Sequence, residues 1–249
     1  YSRVVVGDAG CGKLRVYSTT GASVSEGAPV QTLELHRSPV VCLALNGAAG
    51  VVLSCDRKGM LEYWSCGTLD FPKHGVHFEM KSATDLYDLA KAKTYATHMS
   101  VSPDGALFSV LCGDQQIRVF RYATGKLYRK YDESVVGYET GQVSTGRMDE
   151  AAARERIDAE KTHLKAGALV GMQSAFDATG HFLVFPSVCG IKIVNLVSNK
   201  VVRTLGQSEK GLRFLGLALY QGTPQVNAQY LLAKKAAELS HQTPAYCHT

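Results

Sequence analysis

The sequence predicts an all-β fold built from repeated four-stranded antiparallel sheets, and three observations predict it. Most of the 249 residues fall in short apolar runs punctuated by Gly, Asp, Ser and Pro, the rhythm of antiparallel strands joined by tight turns. One hairpin recurs along the chain, with an aspartate at its turn in Asp8, Asp56 and Asp114. Their spacing is about that of a four-stranded unit with insertions. Composition agrees, since 45% hydrophobic and 20% charged residues are ordinary for a globular domain, and no apolar run is long enough to cross a bilayer.

The first copy of the hairpin is Val4-Val5-Val6-Gly7-Asp8, turning through Ala9 to Lys13 into Leu14-Arg15-Val16-Tyr17. The second is Val51 to Asp56, returning as Met60-Leu61-Glu62-Tyr63-Trp64, and the third is Phe108 to Asp114, returning as Ile117-Arg118-Val119-Phe120. A fourth, Phe182 to Phe185 and Ile191 to Val194, keeps the strands without the aspartate. Asp suits such a turn because its short carboxylate accepts the backbone N–H groups just after it. Strands also precede the later hairpins (Val40 to Leu45, His98 to Val101, Gln173 to Phe176), and Leu127 to Arg129 and Val201 to Arg203 follow two of them. Four strands per unit is the pattern of a propeller blade. The expectation is about four blades, the first and last incomplete. The second unit carries the marks of a WD repeat: His36 before the first strand, Ser54 in the second, Asp56 in the turn and Trp64 closing the third. These are expected to hydrogen-bond as His to Asp and Ser to Trp, because a buried imidazole and indole both need partners.

Two chemical readings compete with this structural one. Ser54, His36 and Asp56 are the residue types of a hydrolase triad, but Ser54 and Asp56 lie two apart on one hairpin with no nucleophile elbow. Gly7 to Lys13 fits G-x-x-x-x-G-K, the phosphate-cradling loop of NTPases. Leu14 then stands where a Mg²⁺-binding hydroxyl is needed, and a β-branched strand follows in place of the helix whose N-terminus would hold phosphate. The motif is therefore read as a lengthened blade turn. Seven cysteines (Cys11, Cys42, Cys55, Cys66, Cys112, Cys189, Cys247) are odd in number and never spaced C-x-x-C. They are read as small buried hydrophobes of a reducing compartment, with no zinc site or disulfide framework. A net charge of +5 leaves an RNA-binding module open through Lys13, Arg15, Arg118, Arg121, Lys126, Arg129 and Lys130, although these are dispersed.

Three segments break the β rhythm. Residues 84–91 read as a short helix between blades, capped by Thr84 or Asp85 and turning Leu86, Leu89 and Ala90 to one side. An insertion over about 133–168 holds a helix near Asp149 to Leu164, with i,i+4 pairs Glu150/Arg154 and Arg156/Glu160 and a thin stripe of Ala153, Ile157 and Leu164. Such a helix is expected to lie loosely on the domain, with a partner-binding helix as the alternative; deleting residues 135–165 is expected to leave folding intact and, in the second case, to weaken a partner's hold. After residue 222, a tail over 223–249 reads as helical around Val226 to Ser240. Tyr1 runs straight into strand-like residues without a starting Met, so the chain is read as a fragment. Four blades do not close a ring, and their open edges are expected to leave it poorly stable.

Several strings together are more specific than the repeat. DRKGMLEYW (56–64), TDLYDLAKAKTY (84–95), IRVFRYATGKLYRKYDES (117–134), FDATGHFLVF (176–185), GIKIVNLVSNKVVRTLG (190–206) and LALYQG (217–222) follow in this order. They resemble the WD-repeat half of the family of peptidyl-prolyl isomerase domain and WD repeat-containing proteins, spliceosome-associated cyclophilins. The resemblance implies a nuclear interaction scaffold whose partners are spliceosomal proteins, with neither cofactor nor small-molecule substrate in this part. It also implies a cyclophilin domain elsewhere in the full-length protein. A cyclophilin site needs an Arg, a Phe–Gln pair and a Trp or His around a proline pocket, and none can be assigned here because Trp64 is taken by a blade. No catalytic, cofactor-binding or metal-binding residue is expected.

Overall fold

The computed structural model describes residues 3–8, 10–20, 27–146, 148–165, 172–209 and 212–222. The chain divides into the units Tyr1–Leu219 and Tyr220–Thr249. Of the second, residues 220–222 are described. The expected tail helix, the end of the insertion (166–168) and Cys247 lie outside the described residues.

Within the first unit the strands form four antiparallel meanders in which each strand pairs with its neighbours in sequence. Sheet one is β1 (Arg3–Gly7), β2 (Leu14–Ser18) and β3 (Gln31–Leu33), and sheet two is β4 (Val40–Asn46), β5 (Val51–Asp56) and β6 (Leu61–Ser65). Sheet three is β7 (Ala96–Val101), β8 (Leu107–Cys112), β9 (Gln116–Arg121) and β10 (Lys126–Asp132). Sheet four is β11 (Ala175–Phe176), β12 (Phe182–Ser187), β13 (Gly190–Asn195) and β14 (Lys200–Leu205). This is the all-β, propeller-type meander that the repeat predicts.

The middle strands of sheets two and three are apolar on both faces because each of these sheets packs between two others. On β5 every residue is buried. Val51, Leu53 and Cys55 point at Phe108, Val110 and Phe120 of sheet three, while Val52 points the other way with Trp64, against Leu14 and Val16 of sheet one. Sheet three repeats the arrangement: Leu111, Ile117 and Val119 meet Leu183, Phe185 and Val194 of sheet four. Side chains alternate along a strand, so a one-residue slip would exchange both interfaces at once. Each large side chain buried this way contributes about 1.5–3 kcal/mol.

Blade completeness differs from the expectation. The fourth sheet, expected to be incomplete, has four strands, because Asn195 Oδ1 accepts Val197 N (3.0 Å) and Ser198 N (2.9 Å) and turns the chain back into β14. The second sheet has three among the described residues. After β6 the chain leaves it: His77 N bonds to Ala123 O at 2.6 Å, and the Phe78 ring stands edge-on to Tyr63. The inter-blade helix is also shorter than expected. A 3-10 turn (Lys81–Ala83) precedes α1 (Asp88–Lys91). Asp85 does not cap it, because its carboxylate accepts Leu127 N at 2.9 Å and anchors the β9–β10 hairpin.

The insertion corrects the sequence reading more sharply. It holds α2 (Val135–Glu139), capped by Ser134 Oγ accepting Gly137 N at 3.1 Å, and α3 (Glu150–Lys165). Ile157 joins Val135, Tyr138, Val188 and Cys189 in a cluster of its own. Arg154 and Glu150 pair at 2.6 Å in solvent, as the spacing predicts. Arg156 and Glu160 do not pair with each other. Both are buried: Arg156 donates to the carbonyls of Gly206 (2.7 Å) and Glu209, while Glu160 takes Arg213 and Gln115. The helix is thus pinned by buried charges that an apolar-stripe count cannot see. Arg156→Ala should cost about 2 kcal/mol, the scale of hydrogen bonds from a charged donor. Circular-dichroism melting should show a fall of roughly 4–8 °C for a domain of this size.

Candidate functional site

The turn aspartates perform the local task that their residue type predicts. Asp56 Oδ1 accepts Lys58 N at 2.9 Å and Met60 N at 3.0 Å. Asp8 Oδ1 accepts Gly10 N at 2.8 Å, and Asp114 Oδ1 accepts Gln116 N at 3.2 Å. Gly59, at φ +80°, completes the Asp56 turn, and a Cβ there would lie 2.3 Å from Thr94 O.

His36, Ser54 and Asp56 meet. His36 Nε2 is 2.7 Å from Ser54 Oγ, and its Nδ1 is 3.5 Å from Asp56 Oδ2, longer than a normal hydrogen bond. Trp64 corrects the expectation: among the described residues its indole N–H has no hydrogen-bond partner. Ser54 faces Glu62 across the sheet, with Trp64 opposite Val52, so the ring packs between sheets one and two. The order Asp–His–Ser is that of a hydrolase triad, yet Ser54 is 0% exposed and Asp56 1%. No substrate reaches that hydroxyl. Burial is the largest influence on His36 and lowers its pKa, with Asp56 opposing.

The G-x-x-x-x-G-K stretch is the β1–β2 turn, and a strand follows it. Lys13 pairs with Glu34 at 2.8 Å. Gly12 is there for close approach, since a Cβ would lie 2.1 Å from His36 O. Asp8 also receives Arg15 Nη1 at 2.7 Å. Its pKa is lowered to about 2, first by the Gly10 N–H and then by Arg15. Nothing in this loop is arranged for phosphate.

A set of residues that sequence reasoning missed lies on the third strand of the repeat. Arg15, Glu62, Arg118 and Lys192 occupy the same position, between apolar neighbours in LRV, LEY, IRV and IKI. Each is tied to an opposite charge. Arg15 takes Asp8 and Glu62 takes Lys81 at 2.6 Å. Arg118, 0% exposed, takes Asp114 at 2.8 Å and Asp88 at 2.7 Å; burial alone would lower its pKa, but the two carboxylates raise it. Lys192 takes Glu133 at 2.6 Å and Tyr138 Oη at 3.1 Å. Burial raises the Glu133 pKa against the pull of Lys192. A lone charge inside a strand that is otherwise apolar was the available signal.

Among the described residues no group of three or more His, Cys, Asp or Glu is placed to hold a metal, and no helix is long and apolar enough to cross a membrane. Cys55, Cys112 and Cys189 are buried, whereas Cys11, Cys42 and Cys66 are partly exposed, against the expectation of burial for all. Burial pushes the Cys42 thiol up to about 11 and Cys112 up to about 12. Neither is a poised nucleophile.

Comparison with known proteins places this arrangement. The human peptidylprolyl isomerase domain and WD repeat-containing protein 1 is 34% identical over 241 residues, 95% of this chain and 36% of its own length. The chain belongs to that family. The Arabidopsis thaliana peptidyl-prolyl cis-trans isomerase CYP71 is 39% identical over 197 residues, covering 78% of this chain and 31% of that protein. The cyp15 isomerase of Rhizopus delemar is 38% identical over 219 residues, 86% and 35% respectively. The chain therefore spans about a third of the length of these curated relatives. No family model matches. Among solved structures, the computationally designed Ika8 protein aligns at TM-score 0.52 and 16% identity over 88% of this chain and 51% of that one. The β-propeller domain of Myceliophteria thermophila Cps50 (Swd1) aligns at 0.51 and 12% over 88% and 57%. These two carry the fold alone, and the second is a β-propeller.

Two outcomes follow for the buried charges. His36 has a folded pKa below its usual 6.5, so the unfolded chain binds the proton more readily and the stability tied to the neutral ring is present above that pH. It is lost as pH falls through 6.5 and below. Urea titrations at pH 7.5 and 5.5 should show lower stability at the acid value, with a smaller difference in His36→Gln. His98, also lowered by burial, should account for part of the remainder. Lys192→Met should cost about 3–5 kcal/mol by stranding Glu133, and adding Glu133→Leu should recover much of it. Chemical denaturation of the single and double variants measures both.

Proposed function

We propose that this chain is an interaction scaffold within a nuclear, spliceosome-associated protein, and that it performs no prolyl isomerisation itself. The observation that carries this is the fate of the buried polar residues. Among the described residues, the constellations with catalytic residue types are spent on joining strands, and the triad-like line Asp56–His36–Ser54 is sealed in the interior. The relatives are named as isomerases. In this reading that activity, with its proline pocket, belongs to the two thirds of their length that the chain does not match. Trp64, the sole tryptophan, is 1% exposed between two sheets and has no open face for a proline. Propellers hold partners on rigid, loop-bearing rims, which supports an assembly role.

The NTPase alternative loses its lysine to Glu34. Among the basic residues that favoured RNA, Lys13, Arg15, Arg118 and Lys126 all have carboxylate partners.

A protease-coupled assay with a prolyl tetrapeptide should show no acceleration by the chain over the uncatalysed rate. Affinity capture from ribonuclease-treated nuclear extract, read by mass spectrometry, should enrich splicing-complex proteins over other nuclear proteins. Isomerase activity in the purified chain, or capture with no such enrichment, would overturn the proposal.

A further inference from the structure

The outer strands of sheets three and four carry a repeat within the repeat. β10 reads Lys126-Leu127-Tyr128-Arg129 and β14 reads Lys200-Val201-Val202-Arg203. Lys126 pairs with Arg121 and Lys200 with Asn195 at the start of each ladder. Both ladders then skip one residue, so Tyr128 and Val202 sit in equivalent bulges and Arg129 and Arg203 follow them. A bulge re-aims the side chain that it carries. In β10 it sets the Tyr128 ring against two guanidiniums, Arg121 at 4.2 Å and Arg129 at 4.3 Å from its centroid.

Arg129 Nε donates to Leu196 O at 3.1 Å, and Tyr131 Oη donates to Asn199 Oδ1 at 3.0 Å, so the turn leading into β14 rests on β10. Arg121, Lys130, Lys200 and Arg203 are exposed, and none of them, nor Arg129, has a carboxylate partner among the described residues. This contrasts with Arg15, Glu62, Arg118 and Lys192 inside the third strands, each of which is matched. Val201 and Val202, 51% and 59% exposed, stand between the charges on β14. Each strand has a hydrogen-bonded neighbour on one side only.

We propose that β10 and β14 form a docking surface for an extended acidic segment of a partner protein, alternating carboxylate and apolar side chains. The proposal rests on the scaffold reading and names the partner chemistry that it takes. Guanidiniums backed by an aromatic ring are fixed as forks for carboxylates, and an unpaired strand edge supplies backbone hydrogen bonds to an extended peptide. Single-stranded RNA fits less well because its binding sites stack bases on open aromatic faces. Here two guanidiniums already lie against the Tyr128 ring, and Tyr131 packs on Phe185.

Fluorescence anisotropy tests this with the full chain and a labelled decapeptide alternating glutamate and valine. The same peptide with glutamine in place of glutamate, and decauridylate, serve as comparisons. The acidic peptide should bind at least about tenfold tighter than either, and about 0.5 M salt should weaken it strongly. Lys130→Glu/Arg203→Glu, at exposed positions whose side chains make no hydrogen bond or ion pair among the described residues, should keep the far-UV spectrum and lose at least about tenfold in affinity; Arg121→Glu should do the same. Equal binding of the glutamine peptide, tighter binding of decauridylate, or unchanged affinity in the folded variants would overturn the proposal. A chain that enriches splicing proteins yet ignores the acidic peptide removes this inference and leaves the scaffold reading standing.

Discussion

A charge placed in the middle of an apolar strand has to find its opposite, and in this protein that requirement recurs once per sheet. Arg15, Glu62, Arg118 and Lys192 hold the same position on the third strand, and the partner that each takes fixes the route of a connecting segment. Lys81 brings the 3-10 turn over sheet two. Asp88 brings α1 against sheet three, and Glu133 brings the start of the insertion against sheet four. For the buried Arg118 and Lys192, leaving the charge unpaired costs more than most single packing defects, so the connections that they hold are fixed as firmly as the strands. Sheet two shows the rule under pressure. There Asp56 faces His36, and the strand charge is reversed to Glu62 with a lysine from the following segment.

Much of the fold was legible because its signals are local. The hairpins, the turn aspartates and the strand reading of Gly7 to Lys13 follow from periodicity and turn chemistry, which act over a few residues. What escaped depends on partners far away in sequence. Arg156 and Glu160 have the spacing of a solvent pair, and only the backbone at 206 and 209 and the side chain of Arg213 decide that they separate and go inside. Asp85 looked like a helix cap until Leu127 N claimed it. The site was legible in the same measure. The expected bonds were His36 to Asp56 and Ser54 to Trp64; instead His36 bonds Ser54 and stands 3.5 Å from Asp56, because strand register sets Glu62 and not Trp64 opposite Ser54.

The same residues show why a list of catalytic residue types is weak evidence for catalysis. Asp56, His36 and Ser54 line up in the order used by hydrolases, and what separates structure from chemistry here is access to solvent. A sealed hydroxyl ties one strand to the loop before the sheet. The two surfaces with unmatched features, the basic outer strands and the exposed valines of β14, are the places where chemistry between molecules remains to be done.

The two-faced packing of the middle strands has a consequence for how the protein comes apart. A sheet that contacts only the sheets beside it behaves as a link in a chain, with stability summed over nearest-neighbour interfaces. Sheet three, apolar toward both neighbours, shares two such interfaces, whereas β1 has one described strand partner and leaves Val4 and Val6 at 48% and 46% exposure. Opening then spreads inward from sheet one, and amide protection forms a gradient along the sequence that peaks on β8 and β9. A lesion in a middle sheet severs the cooperative array, while one in β1 merely shortens it.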